Sequence, residues 1–217
     1  MKDDKTGDDE LYQRKPSAAK AEDYESASDE TLVSKVQEGD NHAFDILVGR
    51  FKNRLYAYLF RLLGNEDEAE EFAQETFVKA YINIEKYRSV ARFSTWLYTI
   101  ATNLVRNRIR NIKRRPRMSS LWSTDINGED GRWIELKDKS VGPEQEMQRK
   151  NLSDIIQAAI EKIPAKYRPA FVLREINMLT YEEIAATTGL KLGTVRSRIN
   201  RGRMHFKRAM EPYMDII

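Results

Sequence analysis

Apolar residues recur at three- and four-residue steps along most of the chain, the spacing of one face of an α-helix. The pattern is missing from residues 1–27, where Lys, Asp, Glu, Ser and Ala dominate. Such a composition buries too little surface to order itself, and it predicts a disordered tail. Ala43, Phe44, Leu47, Val48, Phe51, Leu55, Tyr58, Leu59 and Leu62 then predict a helix that closes at Gly64. Asn65 follows as an N-cap, with Glu68 at the capping-box position. The next helix carries Ala69, Phe72, Ala73, Thr76, Phe77, Ala80, Tyr81 and Ile84 on one face. A third, from about Ser94, buries Trp96, Leu97, Ile100, Ala101, Leu104 and Val105.

The period breaks from Met118 to Glu146, a stretch holding Ser119, Ser120, Asn127, Gly128, Gly131, Gly142 and Pro143 with seven acids against three bases. A structureless segment that long exceeds what compact domains usually carry, so it reads as a linker. Helical spacing resumes at Leu152, Ile155, Ile156, Ala159, Ile160 and Ile163 and stops at Pro164; Ala170, Phe171, Leu173 and Ile176 mark another helix. Strand-like alternation is absent. The predicted fold class is all-α: two small helical domains, 28–115 and 146–214, joined by a flexible acidic linker over 116–145.

The strongest local signal runs from Leu179 to Lys207. Thr180 with Glu183 forms a capping box, Gly189 supplies a tight turn, and a second helix opens around Gly193-Thr194. Ile184, Ala185, Leu190, Val195 and Ile199 have the spacing of a helix-turn-helix core, with small Ala185 letting the helices cross closely. Arg196, Ser197, Asn200, Arg201 and Arg203 then face outward. A helix entering the major groove needs such a face, because Arg pairs with guanine edges while Arg, Ser and Thr hold phosphates.

Composition narrows the chemistry. The 217 residues include no cysteine, which excludes disulfides, thiolate zinc sites and thiol catalysis. His42 and His205 belong to no metal-binding helical motif, and no glycine pattern matches a phosphate-cradling loop. No cofactor is implied. The longest charge-free run, Phe93 to Val105, is 13 residues, short of the roughly 18–20 that a membrane span needs. With no apolar core near the start to read as a secretory signal, the expectation is a cytoplasmic protein without membrane insertion or catalytic equipment.

The net charge of +3 says little, but its distribution says more. Glu66, Asp67, Glu68, Glu70, Glu71 and Glu75 cluster without a base; ten bases lie between Lys86 and Arg117 without an acid, and seven more between Ile184 and Met210. Two acid-free basic stretches point to two contacts with nucleic acid, whose condensed counterions Lys and Arg release. On the helix that follows the loop Lys86-Tyr87-Arg88-Ser89-Val90-Ala91-Arg92, the residues Thr95, Thr99, Thr102, Asn103, Arg106 and Arg110 are left on a polar face. A basic helix beside an aromatic loop can hold a backbone and pocket an unpaired base, with Tyr87 open to that role and Trp96 in the core. On the acidic helix, Asp67, Glu70, Glu71, Gln74, Glu75 and Val78 lie opposite the apolar face. That face reads as a protein-docking surface, a solvated surface, or a metal site lacking a second group of convergent acids.

Three of these segments carry a resemblance. Asp67 to Tyr81 (DEAEEFAQETFVKAY) resembles region 2.2 of bacterial sigma factors, Phe93 to Asn103 (FSTWLYTIATN) resembles regions 2.3 and 2.4, and Leu179 to Ala185 (LTYEEIA) with Gly193 to Arg198 (GTVRSR) resembles region 4.2. The order of the three, and the two-domain size, resemble the small extracytoplasmic-function class of the sigma-70 family. The resemblance covers about residues 29–115 and 146–210.

The resemblance implies a promoter-recognition subunit of RNA polymerase that is not itself an enzyme. Asp67, Glu70, Glu71, Gln74 and Glu75 would dock on the clamp helices of the polymerase largest subunit, and region 4 would meet the flap. Tyr87, Arg88, Arg92, Thr99, Asn103, Arg106 and Arg110 would engage the −10 element, with Tyr87 and Asn103 at the positions that capture a flipped base. Thr194, Arg196, Ser197, Arg198, Asn200, Arg201 and Arg203 would read the −35 element. The linker would lie near the active-site cleft and RNA exit path. The resemblance also implies an anti-sigma partner. The loop departs from the family in one respect, with Ser89-Val90 where Gly-Asp is usual. The alternatives are a free-standing helix-turn-helix regulator and a metal-dependent nuclease built on the acidic helix.

Overall fold

The structure is a computed structural model and describes residues 24, 26–114 and 143–214. The tail expected over 1–27 falls outside the described residues except at Tyr24, Ser26 and Ala27, and the linker over 116–145 except at its last three residues. From Asp29 onward eight α-helices are described: α1 Asp29–Gln37, α2 Asn41–Leu63, α3 Glu66–Ile82, α4 Phe93–Arg114, α5 Pro143–Glu161, α6 Arg168–Glu175, α7 Tyr181–Thr188 and α8 Leu192–Met210. No strand occurs among the described residues.

The longest helix, α2, is the spine of the first half. The Asp40 carboxylate accepts from the His42 and Ala43 amides at its start, and Gly64 ends it at φ 71°, a left-handed conformation that glycine adopts without a steric penalty. Its stripe from Ala43 to Leu62 is buried against α1, α3 and α4. Asn65 begins α3 one residue later by accepting from the Glu68 amide at 2.8 Å. The return half of that capping box is not made. The Glu68 carboxylate instead accepts from Arg108 of α4 at 2.5 Å, tying the two functional helices together. Tyr24, assigned by sequence to the tail, packs edge-on against His42 and donates to Asp40 at 2.5 Å.

Thr95 and Thr102, expected on the polar face of α4, are instead buried. Thr102 tolerates this because its hydroxyl donates to the Tyr98 carbonyl at 2.7 Å and pairs with the Tyr58 hydroxyl at 2.8 Å. Within the second half, a second close helix approach occurs that the sequence did not mark. Ala185 is half-buried, whereas a Cβ on Gly202 would lie 2.8 Å from Phe171 Cβ, so α6 and α8 meet at Gly202. The two halves pack on each other: α4 lies against α7, α2 against α5 and α6, and their buried residues form one continuous core.

Candidate nucleic-acid interface

The helix-turn-helix forms as the sequence requires. Thr180 Oγ1 accepts from the Glu183 amide at 3.1 Å and Glu183 Oε2 accepts from the Thr180 amide at 2.8 Å, starting α7. Gly189 stops it at φ 69°. Ile184, Val195 and Ile199 are fully buried beneath the turn, which fixes the rotation of α8. That rotation leaves Arg196, Ser197, Asn200 and Arg201 exposed, with Thr194 and Arg198 half-buried at the flank. Arg201 is braced: its Nη1 donates to the Tyr167 hydroxyl at 3.0 Å and the guanidinium lies 5.8 Å from that ring's centre. Hydrogen bonds from Lys166 and Arg201 hold the Tyr167 hydroxyl below its ordinary pKa. Arg203 is placed differently, in an ion pair with Glu175 of α6 at 2.7 Å.

On α4, Trp96, Thr99, Asn103, Arg106 and Arg110 follow one another at three- and four-residue steps and form one stripe. Trp96, Thr99 and Asn103 are half-buried; Arg106 and Arg110 are exposed. Asn103 Oδ1 accepts from Arg106, and Thr99 donates to the Thr95 carbonyl at 2.8 Å. The loop before α4 differs from the expectation. Tyr87 is buried, edge-on to Phe93 and packed on Trp96 with ring centres 5.4 Å apart, and it donates to the Ala91 carbonyl at 2.7 Å. Burial, with the charges of Glu30 and Asp29, raises its pKa, so the hydroxyl keeps the proton it donates. The ring is therefore a brace for the loop, and the partly open aromatic surface belongs to Trp96. Arg88 donates to the Glu85 and Tyr87 carbonyls, Arg92 lies 3.8 Å from Glu183 of α7, and Val90 is almost wholly exposed at the loop tip.

The outward face of α3 is acidic in its first half and apolar in its second. Asp67, Glu71 and Gln74 are exposed and Glu70 and Glu75 half-buried, with Gln74 donating to Glu70 at 3.4 Å and Lys79 paired to Glu75 at 3.2 Å. Val78 and Ile82 continue that face at 57% and 70% exposure. Ile82 was missed by sequence reasoning; its step of four from Val78 was the signal. Among the described residues no three His, Asp or Glu side chains converge on a metal position, and no helix is long and apolar enough to cross a membrane.

Residues 47–115 match the family model of Sigma-70 region 2, and residues 153–206 that of Sigma-70, region 4. The ECF RNA polymerase sigma factor SigW of Bacillus subtilis is 39% identical over 173 residues, covering 79% of this chain and 90% of SigW. The ECF RNA polymerase sigma-E factor of Escherichia coli is 38% identical over 189 residues, covering 87% of this chain and 97% of that protein. Two solved structures share the fold: CnrH in complex with the cytosolic domain of CnrY (TM-score 0.60, 21% identity, 86% of this chain and 99% of that one) and the sigma factor RpoE in complex with the anti-sigma factor NepR from Bartonella quintana (0.57, 23%, 77% and 96%). With both sigma-70 regions in order and relatives matched over nearly their whole length, the chain belongs to the extracytoplasmic-function class of the sigma-70 family, the promoter-recognition subunits of RNA polymerase.

Proposed function

We propose that this sigma factor docks on core polymerase through the outward face of α3, reads the −35 element with α8, and opens and holds the −10 element with the α4 stripe and the loop before it. The carrying observation is the segregation of charge by element: an acidic and apolar face on α3, and acid-free basic faces on α4 and α8. Glu71, with Asp67 and Glu75, meets basic partner groups, and Val78 and Ile82 supply the apolar anchor that charge alone lacks. Residues 28–115 then act as the polymerase and −10 unit and 146–214 as the −35 unit, which also contacts the flap. Arg196, Ser197, Asn200 and Arg201 face the major groove, with Thr194 and Arg198 at its rim. Trp96, Thr99, Asn103, Arg106 and Arg110 line the −10 track, flanked by Arg88 and Arg92. The protein works in the cytoplasm and makes no bond itself; the polymerase does the chemistry. An anti-sigma factor is a further partner, as for the RpoE whose fold this chain shares.

The test separates docking from DNA reading. Glu71→Lys with Glu75→Lys alters exposed and half-exposed groups, so stability should change by less than about 0.5 kcal/mol. The variant should nonetheless lose core polymerase in a pull-down, because like charges meet at the docking face. Arg196→Ala with Arg201→Ala should keep polymerase and lose the promoter. Equal retention of polymerase by the Lys variant makes the acidic part of α3 a solvated face and puts the docking surface elsewhere on the chain.

A further inference from the structure

The brace on Arg201 belongs to a larger cationic cluster, where the corner before α6 meets α8. The buried Tyr167 ring is covered by three exposed side chains, those of Lys166, Arg201 and His205. The Lys166 ammonium lies 4.7 Å from the ring centre and the Arg201 guanidinium 5.8 Å. The His205 imidazole stacks on the ring at an interplanar angle of 22°, with centres 5.8 Å apart. His205 stands one turn beyond Arg201, so α8 supplies both the stacked ring and the guanidinium.

The Tyr167 hydroxyl is spent on one side only. Its oxygen accepts from Arg201 Nη1 at 3.0 Å and from Lys166, which fills its capacity as an acceptor. Its proton has no acceptor among the described residues, and no carboxylate there pairs with Lys166 or Arg201. The two cations also lower the pKa of the hydroxyl, which strengthens it as a donor. Arg203, two residues along, shows the opposite arrangement, neutralised by Glu175 at 2.7 Å. Two uncompensated cations around a hydroxyl with a proton to give form the donor set of a phosphate site, where each bond is charge-assisted. The place of the cluster identifies the phosphate. α8 turns Arg196, Ser197 and Asn200 outward beside Arg201. A helix in the major groove is bordered by phosphate backbones, which its neighbouring elements touch.

We propose that Lys166, Tyr167 and Arg201 form a clamp for one backbone phosphate of the −35 element, with His205 holding the Tyr167 ring in place. The inference rests on the −35 reading of α8 above and adds a contact from outside that helix. A phosphate carries no base identity, so the clamp sets the pose of α8 in the groove and adds affinity equally to all −35 sequences.

The test uses holoenzyme reconstituted with the full-length chain and a labelled promoter duplex, with binding followed by anisotropy across a salt series. Lys166→Gln should lower the slope of log affinity against log salt by about one, the signature of one lost phosphate contact. Tyr167→Phe, which keeps the ring, should weaken binding by roughly tenfold, the lower range for a hydrogen bond to a charged group. Both losses should be the same on promoters altered within the −35 element. Methylphosphonates, which remove the charge of one phosphate at a time, then locate the clamp. One position flanking the −35 element should weaken the parent, and both variants should be indifferent to it. A side chain that only supports the fold would leave that single-phosphate pattern as it is in the parent. Thermal melts of both variants should stay near the parent's, since one change is at an exposed charge and the other keeps the ring's shape. An unchanged salt slope in Lys166→Gln, or a parent-like methylphosphonate pattern in both variants, overturns the clamp. So does loss of core polymerase with the salt slope intact, which gives the cluster to an acidic protein surface. Arg196→Ala binding as tightly as the parent overturns the −35 reading itself, and the clamp falls with it.

Discussion

Arg203 donates from both Nε and Nη2 to a single oxygen of Glu175, at 3.0 and 2.7 Å. The contact ties α8 to the end of α6, and the carboxylate raises the already high pKa of the guanidinium. Arg196 lies two turns earlier on the same stripe and faces solvent. Arg196→Ala should therefore weaken binding of the holoenzyme to its −35 element by about 1–3 kcal/mol, the range for a base-reading arginine. Arg203→Ala should cost DNA binding less than about threefold and lower stability by under about 1 kcal/mol, as a surface ion pair does. Fluorescence anisotropy with a labelled promoter, beside thermal melts, measures both. Equal losses of DNA affinity would return Arg203 to the groove.

Truncating Tyr87 is a poor probe of base capture, because the ring fills space between Phe93 and Trp96. Removing a buried aromatic ring costs about 3–5 kcal/mol, so Tyr87→Ala should melt the loop. Tyr87→Phe should lose only the bond to Ala91, about 1 kcal/mol, and open promoters within about twofold of the parent rate. Trp96→Ala and Asn103→Ala should slow opening on duplex DNA and recover on a template already mismatched at −10. The readout is a fluorescent base analogue in the −10 element. Normal opening by both variants would remove the α4 stripe from the melting step.

How much of this was legible depends on how local the cause is. Gly64, Asn65, Thr180 and Gly189 act on neighbours within a few residues, and the structure bears out each as a cap or turn. The stripe on α2 was legible for the same reason, since a 3.6-residue period is written in the chain. The fate of a polar side chain was not. Glu68 leaves its own cap for Arg108, forty residues away, and Thr102 turns inward because Tyr58 offers it a partner. Tyr87 and Trp96 exchange the expected degrees of burial, because the loop folds back over Phe93. The acidic face of α3 and the basic face of α8 were readable as charge, while Arg168 donates to the Leu62, Glu161 and Ile163 carbonyls, which no sequence motif marks.

The Tyr58 hydroxyl gives a pH prediction. Burial, reinforced by Tyr98 and opposed by the bond to Thr102, pushes its pKa well above that of an ordinary tyrosine. In the unfolded chain it ionises near pH 10. Below that pH both states are neutral and Tyr58 adds no pH dependence. Above it only the unfolded state ionises, so stability falls with rising pH, at up to about 1.4 kcal/mol per unit from this one group. Tyr58→Phe should cost about 1 kcal/mol at neutral pH, since Thr102 keeps its bond to the Tyr98 carbonyl. The deficit should shrink above pH 10 and then reverse. Urea unfolding of both proteins between pH 7 and 11 measures it, and a constant difference would mean the hydroxyl is hydrated in the folded state.

Two helical glycines should respond with opposite signs to the same change. Gly49 lies in the middle of α2 with nothing within 4 Å of where a Cβ would stand. Alanine there gains helix propensity and restricts the unfolded chain, so Gly49→Ala should stabilise by about 0.5–1 kcal/mol. Gly202 on α8 is offered the same gain of about 1 kcal/mol, but its Cβ would sit 2.8 Å from Phe171 Cβ. Phe171 is buried and its Cβ is anchored to α6, so the helices must move apart to admit the methyl. Overpacking of that kind costs about 1–3 kcal/mol, which outweighs the propensity gain. Gly202→Ala should therefore be net destabilising and should tilt α8 relative to Val195 and Ile199 beneath it. Thermal melts decide the sign, with Gly49→Ala expected a few degrees above the parent and Gly202→Ala below it. −35 binding should weaken in the Gly202 variant alone, because only that change reaches the seating of the recognition helix. If both variants melt higher and bind normally, α6 and α8 have room to spare, and the close crossing does not set the pose of α8.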